Sequence, residues 1–171
     1  MTANRDRTTA QTQRAIVITR VFDAPRQLVW KAWTEPRHFA RWYGPKGFTT
    51  PVCRIDLRVG GKYLNCMRSP EGQDFWSTGV FREIVAPERL VMTASRADKD
   101  GNVVPASRYE MDAGWSLETQ ISVTLEEDDG RTKVTLEHVG MPAGTGRDMA
   151  EAGWNESLDK LADVLAESRQ A

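Results

Sequence analysis

The chain closes on one long amphipathic segment, and any fold it adopts has to cover that segment's apolar stripe. Between Arg147 and Ser168, residues Met149, Trp154, Leu158, Leu161, Ala162 and Leu165 recur mostly in steps of three or four, which gathers them on one side of a helix. Glu151, Glu156, Asp159, Lys160 and Glu167 fall largely elsewhere. A helix of roughly 20 residues is about 30 Å long. Such a helix needs an extended apolar surface to lie on.

The preceding residues read as that surface. Ala15–Asp23 is β-branched and partly alternating, and predicts a first strand. Asp23 is a candidate cap and Pro25 a first-turn residue for a helix that turns Leu28, Val29, Ala32 and Trp33 inward. This helix stops near Thr34, because Pro36 disfavours helical geometry at Glu35. Pro36 then opens a short second helix through Trp42, with Phe39 and Trp42 on one side.

From Thr49 the pattern changes to period two, predicting strands over Pro51–Val59, Lys62–Arg68, Asp74–Val85, Arg89–Arg96, Leu117–Glu126 and Lys133–His138. Short turn signals between most of them (Gly60-Gly61, Pro70-Glu71-Gly72, Pro87-Glu88, Asp128–Arg131) favour antiparallel hairpins. If Gly60-Gly61 is a two-residue turn, Leu57 pairs with Leu64 and Ile55 with Cys66, leaving Arg54, Asp56, Arg58 and Tyr63 on the other face. The same register puts Cys53 and Cys66 on one face, whereas a bulge at the glycines would invert the second strand. Ala97–Trp115 is the one long unpatterned connection: it reads as a variable surface loop or, from its charges, as a mobile flap with Tyr109, Met111 and Trp115 to make apolar contacts. The prediction is an α+β domain over residues 15–171: a curved antiparallel sheet of about seven strands around a long C-terminal helix, with two short helices after strand 1. Residues 1–14, polar and without an apolar stretch, read as a disordered tail rather than a signal peptide.

Composition narrows the function. A net charge of −1 on 171 residues argues against nucleic acid, and no apolar run approaches the ~18 residues of a membrane span. Two cysteines and two histidines are too few for a typical structural zinc site, and together with the missing signal they favour the cytoplasm. There is no nucleophile elbow, phosphate-binding glycine loop, dinucleotide fingerprint or His-Glu-x-x-His motif, so neither a catalytic constellation nor a cofactor is expected. Gly140–Gly146 precedes a helix, where an anion can sit, but it lacks the following lysine of a P-loop. His138 shares the parity of Val134 and Leu136, so it is expected to face inward. Six tryptophans are a large share of the aromatic content, and part of that set is expected to line an apolar pocket. The candidate cavity residues are Trp42, Tyr63, Asn65, Phe75, Trp76 and Met92, then Trp115, His138, Trp154 and Leu158.

Several stretches together resemble a known family. They are Phe22-Asp23-Ala24-Pro25 with Val29-Trp30 and Trp33, then Pro36, Phe39 and Arg41–Pro45, and the hairpin Asp56–Tyr63. Gly79–Ile84, Pro87–Thr93, Gly153-Trp154, Leu158 and Leu161 continue the likeness, which runs from Val17 to Glu167. The sequence resembles the activator of heat-shock protein 90 ATPase homologue family, within the START-like (SRPBCC, Bet v 1-like, polyketide cyclase) superfamily. The resemblance implies a helix-grip fold with a cavity between sheet and terminal helix. It implies as function the non-catalytic binding of a small hydrophobic or amphipathic ligand there. The alternatives it brings are a stress-related chaperone partner, or a cyclase- or hydrolase-like enzyme using His138, Tyr63 or Asn65. Members of this fold also pair through sheet edges or hairpins, so a homodimer is compatible with it.

Overall fold

The structure, a computed structural model, describes residues 15–109 and 116–170. The expected tail and the residues Met111 and Trp115 of the expected flap lie outside the described residues. Seven antiparallel strands form one sheet: β1 (Ile16–Phe22), β2 (Thr49–Ile55), β3 (Lys62–Arg68), β4 (Asp74–Val85), β5 (Arg89–Ala97), β6 (Thr119–Asp128) and β7 (Arg131–Val139). Their order is β1-β7-β6-β5-β4-β3-β2, so six successive strands meander and β1 closes the far edge against β7. Short connections dictate most of the meander, and β5 and β6 pair across the long connection between Ala97 and Thr119. The β6–β7 turn shows the chemistry: Asp129 and Gly130 both take positive φ (52° and 80°), the geometry that matches the twist of a tight hairpin.

Between β1 and β2 lie α1 (Arg26–Thr34) and α2 (Pro36–Phe39). α1 ends because Glu35 is extended (φ −96°, ψ 123°) ahead of Pro36. Its N-cap position is Pro25 and makes no side-chain cap bond, so Asp23 does not hold the capping place expected of it. The long helix α3 (Thr145–Gln170) crosses the sheet and closes the core. Its buried stripe is Trp154, Ser157, Leu158, Leu161, Val164 and Leu165, a 3-1-3-3-1 progression along one face. Ala162 is exposed, and Met149 is 69% exposed, so neither belongs to the stripe. A helix starting at Thr145 turns Met149 away from the core, toward the rim described below. Arg20 on β1 ties α3 down by donating to Asp159 Oδ1 and to the carbonyl and side-chain oxygens of Asn155.

The β2–β3 hairpin departs from the expected register. Cys53 faces Asn65, Arg54 faces Leu64 and Ile55 faces Tyr63, a shift of three residues from the pairing of Ile55 with Cys66. An odd shift reverses every side chain. Gly60-Gly61 is not a two-residue turn: Gly61 N–H donates to Arg58 O, Asp56 N–H to Lys62 O, and Gly60 N–H reaches across to Phe81 O. A Cβ on Gly61 would stand 2.1 Å from the Asp56 carbonyl oxygen, so only glycine permits this crowded loop. The consequence is that Tyr63 points into the core instead of out. The two thiols then lie on opposite faces, Cys53 with Asn65 and Cys66 with Trp76. Both are free, and burial pushes their pKa values up to about 12 and about 11.

The first half of the 97–115 connection folds back on itself. Asp98 accepts from the N–H groups of Asp100 and Asn102, and Ala97 bridges Val103, which turns the chain back on itself. A short 3-10 turn follows at Ala106–Tyr109.

Candidate functional site

The concave face of the sheet is built of rungs, because directly opposed residues in neighbouring antiparallel strands share a face. One rung runs Phe81, Met92, Ile121, His138 and Ile16 across β4, β5, β6, β7 and β1. A second runs Cys53, Asn65, Ser77 and Arg96 across β2 to β5. Between the two, the β4–β5 pairing skips Gly79 and Val80. Tyr63 bridges the gap: its ring lies against Gly79 and its hydroxyl donates to Thr93 O at 2.7 Å, while Thr93 Oγ1 accepts from Val80 N–H. A Cβ on residue 79 would sit 1.9 Å from that carbonyl oxygen, so the glycine makes room for the tyrosine.

Above this face lie the start of α3 and residues 43–48, with a cavity of about 270 Å³ between them. Lys160 on α3 positions the 43–48 segment by donating to the carbonyls of Gly44, Pro45 and Phe48. Ser157 adds a bond from Gly44 N–H to its Oγ, which itself donates to Gly153 O. An aromatic wall stands on the α1–α2 side. Trp33 stacks on Trp154 (centroids 6.1 Å apart, 27° between planes) and meets the edge of Trp42 at 4.6 Å. At the mouth, Leu117 and Met149 are exposed apolar side chains that also line the cavity.

Of the predicted cavity residues, Tyr63, Asn65, Phe75, Met92, His138 and Trp154 line this one space. Trp42 and Leu158 stand behind its wall in the solid core, Trp42 with its indole N–H on Ala32 O at 2.9 Å. Trp76 is on the opposite face of β4 from Phe75, beside Asp98 and Arg108, because neighbouring strand residues alternate. Trp115 lies outside the described residues. The reading from sequence missed Trp33, Ser77 and Arg96, which also line the cavity. Arg96 continues the parity of Met92 and Ala94, which is the signal in the sequence that places it on this face.

His138 is locked in one form. Trp154 Nε1–H donates to its Nδ1 at 3.1 Å, and an indole nitrogen is a donor only. Thr119 spends its hydroxyl proton on Ala94 O, so at 2.8 Å it accepts from His138 Nε2–H. Both ring nitrogens are therefore occupied in the neutral imidazole. Burial, and secondly the positive charge of Arg96, hold its pKa down to about 4. At neutral pH this histidine joins α3 to the sheet, and its one acceptor lone pair is taken by the Trp154 N–H. Tyr63 is likewise held protonated, burial pushing its pKa up. Among the described residues, no three His, Cys, Asp or Glu side chains gather to hold a metal.

Two lining residues each carry a buried polar atom without a hydrogen-bond partner: Asn65 Oδ1, an acceptor, and Trp33 Nε1, a donor. Leaving such a group bare costs about 1–3 kcal/mol.

The family profile described as Activator of Hsp90 ATPase homolog 1-like protein matches residues 23–166. No curated protein sequence matches the chain. Among solved structures, a protein from Nitrosomonas europaea is similar at 25% identity and a TM-score of 0.75, covering 92% of this chain and 97% of its own. One from Chromobacterium violaceum is similar at 27% identity and 0.74, covering 89% and 96%. An AHSA1 protein from Silicibacter pomeroyi, at 22% identity, 0.70, 90% and 99%, shares the fold.

Proposed function

The chain belongs to the Activator of Hsp90 ATPase homolog 1-like family, and from that premise we propose that it binds a small amphipathic molecule in the cavity beneath α3, without catalysing its conversion. The observation that carries this reading is the mostly apolar space of about 270 Å³ beneath α3, lined by Trp33, Phe75, Met92 and Trp154. The exposed apolar rim of Leu117 and Met149 supports entry of an apolar body. Acid–base catalysis finds no support at His138, whose two nitrogens are both engaged.

The test uses a neutral fluorescent hydrophobe, N-phenyl-1-naphthylamine, titrated into the protein and into Ala94→Phe. Ala94 lies on the concave face and lines the cavity, so a phenyl group there fills the void. The expected outcome is saturable binding by the parent chain and at least a tenfold loss in the variant, with its melting temperature kept. Equal binding by both would place the probe elsewhere and end the reading. Family membership also raises contact with a heat-shock protein 90-type chaperone, which rests on the family's description alone. The chaperone's ATPase rate at saturating concentrations of this protein is the measurement for it.

A further inference from the structure

The cavity occupies only part of the space that the sheet and α3 enclose. Toward the C-terminal half of the helix, Leu158, Leu161 and Leu165 belong with Val123, Val134 and Leu136 to the solid core. Trp33 and Trp154, stacked on one another, wall the cavity, and Trp42 stands fully buried behind them. A molecule in the cavity therefore cannot extend along the helix into that core. The exposed Leu117 and Met149 mark the side on which it can protrude.

Close packing limits what can enter. At an interior packing density of about 0.74, a space of about 270 Å³ holds on the order of fifteen non-hydrogen atoms. Two fused rings with a short substituent, or a chain of about a dozen carbons, reach that limit. A sterol or a membrane lipid exceeds it.

The polar groups of the lining decide which end goes in. Tyr63 donates its hydroxyl proton to Thr93 O, Thr119 to Ala94 O and Ser157 to Gly153 O, and the Trp154 N–H is given to His138. The Tyr43 phenol is hydrogen-bonded to Ser77, and Arg96 is likewise engaged. The two unpartnered atoms, Asn65 Oδ1 and Trp33 Nε1, are closed to solvent. A polar end carried inward would exchange water for groups that are already occupied, which is costly. At the rim it stays hydrated.

Resting on the cavity reading above, we infer that the ligand is a short, single-headed amphiphile. Its apolar body, two rings or a chain of about a dozen carbons, goes in first, and its polar end stays at the Leu117–Met149 rim. Longer lipids gain nothing from their extra length, because what exceeds the cavity stands in water.

The test is displacement of N-phenyl-1-naphthylamine by hexanol, octanol, decanol, dodecanol and tetradecanol. Each buried methylene tightens binding roughly fourfold. Affinity is therefore expected to climb about 15-fold from each alcohol to the next and to level off at dodecanol. Met92→Ala removes a side chain from the cavity lining and is expected to carry the climb on through tetradecanol, whereas Met92→Leu, of similar bulk, keeps the break in place. Dodecanediol, with a hydroxyl at each end, is expected to bind at least tenfold more weakly than dodecanol. An unbroken climb through tetradecanol in the parent chain, an unmoved break in Met92→Ala, or a diol that matches its alcohol would each overturn the inference and leave the cavity reading standing. So would a bound probe that no alcohol displaces. If the probe itself does not bind, both fall.

Discussion

At the scale of single residues, His138 decides how the molecule responds to acid. Its folded pKa of about 4 lies below the 6.5 of the free side chain, because burial and, secondly, the charge of Arg96 penalise the imidazolium. The unfolded chain therefore binds the proton more readily. The stabilisation is complete above pH ~6.5 and is lost as pH falls from there toward ~4, on the order of 3 kcal/mol in all. Urea melts across that window are expected to show this slope, and His138→Leu to flatten it. The variant starts lower at pH 7 by about 1–3 kcal/mol, since the Trp154 N–H is orphaned. A slope unchanged in the variant would assign the acid sensitivity to other groups. The inward parity of His138 was readable from Val134 and Leu136, but its tautomer was not, since both its partners come from distant parts of the chain.

At the scale of elements, α3 acts as a clamp as well as a lid. Its Lys160 ammonium sits among three backbone carbonyls of the 43–48 segment, and burial lowers its pKa. Lys160→Met keeps the aliphatic stem and removes the donors. It is expected to cost about 1.5–3 kcal/mol, as charge-assisted bonds do, and to speed amide exchange in residues 43–48 while β6 and β7 stay protected. Uniformly faster exchange would mean that Lys160 supports the whole fold and not this segment. The period-two strands, the stop of α1 before Pro36 and the tight Asp129-Gly130 turn were legible because each is dictated by neighbours in sequence. The β2–β3 register was not, because Gly60 and Gly61 bond to Phe81 across β4. A turn anchored to a third strand cannot be counted out from its own residues.

At the scale of the whole molecule, the stripe of α3 and the concave face form one core, so neither half buries its apolar surface alone. Trp33, Trp42, Trp154, Leu158 and Leu136 belong to that same cluster. Tryptophan fluorescence and far-ultraviolet circular dichroism are therefore expected to report one coincident unfolding transition. Removal of residues 145–171 is expected to leave no cooperative melt, and a truncated chain that still melts sharply would show a sheet stable by itself. The sequence alone determined the architecture: hydrophobic period, turn residues and one terminal stripe are local patterns, and together they admit an antiparallel sheet gripping a helix. It also turned His138 inward by its parity with Val134 and Leu136, and placed Phe75, Met92 and Trp154 among the cavity candidates. Only the tertiary structure decided which polar groups share that cavity. The rung of Asn65, Ser77 and Arg96 exists because three strands pair in one particular register. A register is a relation between segments, set by side chains and backbone groups far apart in the chain, and a one-residue slip in any strand would have turned its member of the rung to the opposite face.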